Sequence, residues 1–241
     1  MNNKLIAWIV GAIILILIGY LAVSSQPTVS AQGVASLKAQ PDKISVNVNI
    51  ETKNISLNDA QKLNAQISAN LNDALLSSGI SKENIRLASY NSYPLQEWDG
   101  NSYKDKGYVV SQQLIVYAEN YSSIASIVNL VTSNGALVQS IQFELSQEKQ
   151  NEYKSKVLKL ASEDAKVKAA AIASGQGKGL GRLVSLSSDE FNYYPMPYYN
   201  MRDGVSATDA GNEAKLAASN ISPSDLDVSS TVKVQYRLGL F

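Results

Sequence analysis

Hydrophobic and polar positions along this chain fall into three patterns. The first is unbroken. Leu5–Val23, LIAWIVGAIILILIGYLAV, is apolar on every side and carries no charge. At 1.5 Å rise per residue, its roughly nineteen residues match the ~30 Å hydrocarbon core of a bilayer. The second pattern alternates. Ile44, Val46, Val48 and Ile50 interleave with Ser45, Asn47, Asn49 and Glu51, which predicts a strand with one wet face. Val232, Val234, Tyr236 and Leu238 do the same against Lys233, Gln235 and Arg237. The third pattern repeats every three or four residues, as in Ile124, Ile127, Val128 and Val131, and predicts helix.

Taken in order, the body opens with a strand over Thr28–Gln40 that has Gly33 inside it. Pro41-Asp42 turns the chain into the alternating strand, and these two elements read as a hairpin. A helix follows over Ser56–Gly79, with Ser56 and Asp59 at capping-box spacing. Its apolar stripe runs through Leu57, Ala60, Ile67, Leu71, Ala74 and Leu75, with Asn64 as the one polar break. Asn84–Tyr93 reads as a strand and Pro94–Lys106 as a polar loop around Asp99-Gly100. Tyr108–Glu119, apolar on both faces, reads as a central strand that completes a second hairpin. A short helix then stops at Gly135, and Leu137–Ser146 is a strand with Ile141, Phe143 and Leu145 inward.

The longest helix spans Gln147–Ser174. Tyr153, Val157 and Leu160 lead into Ala161, Ala165, Ala169 and Ala173, a ridge of methyl groups that lets a helix lie close on a sheet. Gly179–Asp189 is a strand, Phe191–Gly211 a long loop and Leu226–Leu238 the last strand. The fold class expected is α+β, antiparallel sheets packed against helices, preceded by one transmembrane helix. The domain reading is an anchor over residues 1–25 and a body over 28–241, as one domain or two lobes.

Lys4 precedes the apolar run, and the next basic residue after it is Lys38. The positive-inside rule then sets the N-terminus in the cytoplasm and the body outside. A cleaved secretory leader is the alternative, with Ala22-Val23-Ser24 as the cleavage site. Either reading exports the body.

Composition narrows the chemistry. With neither cysteine nor histidine, the chain has no Cys nucleophile, Ser-His triad or disulfide, and structural zinc is disfavoured. Lys+Arg 21 against Asp+Glu 21 leaves no basic excess for a nucleic-acid backbone. Gly175, Gly177, Gly179 and Gly181 invite a phosphate-loop reading. Their order, however, is helix, glycines, strand, the reverse of what a phosphate loop needs. Glu163-Asp164 and Asp189-Glu190 are acidic neighbours without a framing motif. Asn54, Asn120 and Asn220 begin Asn-x-Ser patterns, and the first two also stand at helix starts, where capping competes. No catalytic residue, metal ligand or cofactor is expected.

The most unusual stretch is Phe191-Asn192-Tyr193-Tyr194-Pro195-Met196-Pro197-Tyr198-Tyr199. Rings with a polar tip suit surfaces that are part dry and part wet. Phe191, Tyr193, Tyr194, Met196, Tyr198 and Tyr199 therefore read as a contact loop for a subunit, a partner, a glycan or the membrane surface. A loop packed on its own body is the alternative.

Several stretches together resemble the SIMPL domain family. They are the opening strand with Gly33 before Pro41-Asp42, SNGALVQSIQFELS (133–146), ASEDAKVKAAAIAS (161–174), GKGLGRLVSLS (177–187) and the closing ISPSDLDVSSTVKVQYRL. The chain departs at Pro223-Ser224, where members often carry Pro-Gly. The resemblance implies an extracytoplasmic protein akin to bacterial periplasmic proteins of oxidative-stress defence, and to a periplasmic immunogen that forms a ring-like assembly. It supplies no catalytic residue. The function expected is a membrane-anchored domain acting by self-assembly or partner binding in envelope maintenance or stress tolerance. Alternatives are a module that binds glycan or small ligands through the aromatic loop, and a carboxylate hydrolase.

Overall fold

The computed structural model describes residues 11–14, 27–189, 191–202, 204, 206–219 and 223–239. Of the apolar run Leu5–Val23, only Gly11–Ile14 are described, as helix. The expected anchor otherwise lies outside the described residues. No helix among the described residues is long and apolar enough to cross a membrane.

The elements, in order, are strands β1 (Thr28–Ala39) and β2 (Lys43–Asn54), helix α1 (Leu57–Ser77), and strands β3 (Ile85–Trp98) and β4 (Tyr103–Ala118). Then come α2 (Ile124–Ser133), β5 (Leu137–Glu144), α3 (Gln147–Gly175), β6 (Leu180–Ser188), β7 (Asn192–Tyr193), β8 (Met196–Asn200), α4 (Ala207–Ser219) and β9 (Leu226–Leu238). The chain divides into two compact units. One draws on Met1–Leu37, Asn151–Tyr193 and Val228–Phe241, and the other on Lys38–Gln150 and Tyr194–Asp227.

The first unit is a sheet on a helix. Its strands run in the order β1-β9-β6, and β7 also pairs with β9. Ala161, Ala165 and Ala169 of α3 pack with Val29, Val232 and Val234, as the alanine ridge predicts. Leu160, read on the same stripe, is 42% exposed. The close approach needs Gly33. A Cβ there would collide with the Ala161 carbonyl oxygen and the Ala165 amide.

The second unit is a five-stranded sheet in the order β3-β4-β2-β5-β8. α1 lies on β2 and β4, α2 on β5, and α4 on β5 and β8. Its core joins Ile44, Val46, Val48 and Ile50 to Leu71, Leu75, Ile127, Val131 and Phe143. Asn64, the polar break in α1, is fully buried and donates to the Ile50 carbonyl at 2.9 Å. Ser56 caps α1 through the Asp59 amide, as its spacing predicts.

The structure corrects three expectations. β1 and β2 are not a hairpin, because β1 joins β9 in one sheet and β2 joins β4 and β5 in the other. Pro94–Lys106 is not a loop, because β3 runs on to Trp98 and β4 starts at Tyr103, which leaves a turn of Asp99 to Ser102. Phe191–Gly211 is not irregular throughout, since it contains β7, β8 and the start of α4.

Candidate functional site

The aromatic segment divides between two environments. Tyr193 lies in β7, which pairs with Ser229 and Val228 of β9, and its ring stacks on Phe191 with centroids 6.4 Å apart. Tyr198 and Tyr199 lie in β8, which pairs with β5. The Tyr198 ring meets Phe143 at 5.3 Å, and its hydroxyl donates to the Ala217 carbonyl. Tyr199 is buried and donates to the Ala210 carbonyl at 3.2 Å. Its burial pushes the phenol pKa up, Glu213 adds to the rise and Arg202 opposes it. Only Tyr194 and Met196 of the six residues present large exposed side chains, Tyr194 at 77%.

The other sequence candidates have structural partners. Asp164 accepts the Val34 amide at 2.9 Å and pairs with Lys168 at 2.6 Å. These contacts, Lys168 first, hold its carboxyl below the usual carboxylate range. Glu163 is exposed, Asp189 faces Lys233 at 3.4 Å, and Glu190 lies outside the described residues. Asn54 and Asn120 accept the amides of Ser56 and Ser122, while Asn220 lies outside the described residues. The four glycines run from the last residue of α3, Gly175, through Gly177 at φ +66° and Gly179 to Gly181 inside β6, the order helix, glycines, strand. Among the described residues, no group of three or more Asp or Glu could hold a metal ion.

Two exposed features escaped the sequence reading. One is β6, the free edge of the first unit's sheet, where Leu183, Val184 and Leu186 are 41%, 48% and 57% exposed. Strand edges are usually blunted by charge, proline or cover. On the opposite edge strand, β1, the amide of Val34 is taken by Asp164, and Val34 itself is 53% exposed. The second feature is the outer half of the β3–β4 hairpin. β2 ends at Asn54, opposite Tyr108, so the rungs beyond it are a two-stranded ribbon. On one face Trp98 stands opposite Tyr103, and Gln96 opposite Asp105. On the other, Glu97 pairs with Lys106 and Lys104 with Asp99. The excess of aromatic residues between 90 and 108 was the available signal for this ribbon.

The described architecture defines an α+β protein with two antiparallel sheets, each packed on helices. A model of the SIMPL family, described as a protein of unknown function (DUF541), matches residues 29–236. The chain belongs to that family. It is also similar to a 26 kDa periplasmic immunogenic protein of Brucella melitensis biotype 1, with 25% identity over 180 residues, 72% of this chain and 71% of the relative. The protein of the same description from Brucella abortus is 24% identical over the same shares.

Proposed function

We propose that this protein is a membrane-tethered, extracytoplasmic SIMPL domain that works by self-association or partner binding, not by catalysis, in envelope maintenance or oxidative-stress tolerance. The apolar run Leu5–Val23, preceded by Lys4, supports the tether. The word periplasmic in the relatives' descriptions supports an extracytoplasmic body.

The observation that carries self-association is the contrast between the two edges of one sheet. The middle of β1 has its Val34 amide taken by Asp164, whereas β6, an edge strand among the described residues, carries three exposed apolar side chains. A β6 edge meeting the β6 edge of a second copy, antiparallel about a two-fold axis, forms a continuous sheet.

Sedimentation of the full chain in detergent tests this reading. We expect a defined oligomer for the parent and a folded monomer for Leu183→Lys combined with Leu186→Lys. A monomeric parent, or an oligomer that survives both substitutions, rejects β6 as the contact.

A further inference from the structure

We infer that the β3–β4 ribbon is a saccharide-binding site for a neutral hexopyranose chain. The rings of Trp98 and Tyr103 lie 5.2 Å apart at 61° to each other and are 56% and 69% exposed. Two rings at that angle form a corner, in which one ring lies flat under a sugar while the other walls its edge. Pyranose C–H faces are apolar and their rims carry hydroxyls, so aromatic faces paired with planar polar groups recognise them.

Those polar groups are present two rungs below, at the next pair on that face. Gln96 donates to Asp105 at 3.0 Å, on the same face as the two rings. Amide and carboxylate together offer donors and acceptors at hydroxyl spacing. The same face continues into a concavity of about 670 Å³ bounded by Pro94, Gly107, Tyr108, Ile55 and Lys106, whose ammonium is held by Glu97. That volume lies in the range of small-ligand sites. Ile55 is 85% exposed there.

Charge selects against other occupants. Lys104 and Lys106 are paired with Asp99 and Glu97, which leaves no basic excess for an anionic lipid surface. A carboxylate beside the rings also disfavours anionic glycans. The site draws on none of the residues of β6 and does not depend on self-association.

The chain has two tryptophans, Trp8 and Trp98, so a Trp8→Phe background makes Trp98 emission a direct reporter. The full chain in a detergent without a sugar headgroup would be titrated with cellohexaose, mannohexaose and N-acetylchitohexaose. A saturable change in Trp98 emission with at least one of them is expected. Tyr103→Ala and Gln96→Ala should each weaken that binding by about tenfold, as expected when a central contact is truncated. Glu83→Gln, just before β3 at the other end of the hairpin, should leave it unchanged. No change with any of the three up to about 10 mM, where even weak binding registers, overturns the proposal. So does a response to lipid vesicles alone, or full affinity in Tyr103→Ala and Gln96→Ala.

Discussion

Tyr199 and Asp164 show how one side chain can settle a local question. The Tyr199 phenol is buried and its hydroxyl is committed to a backbone carbonyl. Tyr199→Phe should therefore cost about 1 kcal/mol, the net value of a neutral hydrogen bond, read as a lower Tm. Burial raises the phenol pKa of Tyr199, and likewise of Tyr121, where Asp42 adds to it. The folded state holds these protons more tightly than the unfolded chain. That stability is fully present below pH 10.0 and is lost as pH rises through the raised values. Ultraviolet titration should show a late-ionising tyrosine fraction that Tyr199→Phe and Tyr121→Phe remove. Asp164 has the opposite sign. Its depressed pKa contributes stability above the ordinary value of 3.8, and that contribution is lost as pH falls through the folded value. The protection factor for hydrogen exchange at the Val34 amide should fall on that acid limb, and Asp164→Ala should lower it at neutral pH.

Among the elements, α3 and β1 are matched surfaces. An alanine ridge meets a strand whose central residue has no side chain, so the helix backbone lies almost on the strand. Gly33→Ala should destabilise the first unit by more than about 2 kcal/mol, the scale of overpacking a close-packed core, measured by denaturant unfolding. The same feature shows what the sequence makes legible. β9, with four large apolar residues in strict alternation, was read at its true ends, and so was the start of α3. α4 was missed because its buried positions, Ala210, Gly211, Ala214 and Ala218, carry almost no hydrophobic signal. The outer β3–β4 ribbon reads as loop in the sequence for the opposite reason. Both its faces are wet, so no apolar alternation marks it as strand. The false β1–β2 pairing came from sequence adjacency, whereas the helix ridge that fits Gly33 lies more than a hundred residues away. Within 191–199 the mixed apolar and polar character of tyrosine was legible. Which rings would turn inward depended on Phe143 and α4, and neither could be located from the local pattern.

For the whole molecule, the proposed tether has a direct test. The full chain should stay with membranes through an alkaline carbonate wash, and a chain beginning at residue 28 should not. Protease added outside spheroplasts, from which any outer membrane has been stripped, should degrade the body. A chain released by carbonate, or a body shielded from outside protease, counts against the proposed topology.

The pairing of β1 with β9 also governs timing. The strand made first must wait for the strand made last, since nearly the whole body is synthesised between them. Most of the second unit, 38–150, emerges as one segment and is able to close on its own contacts. Throughout synthesis and export, the alanine ridge and its glycine-bearing strand stay without their central partner. Long-range closure of this kind is slow and leaves edges bare. Aggregation during expression should therefore track substitutions in β9 far more steeply than substitutions in β2, and slowing the final stretch of translation should worsen it.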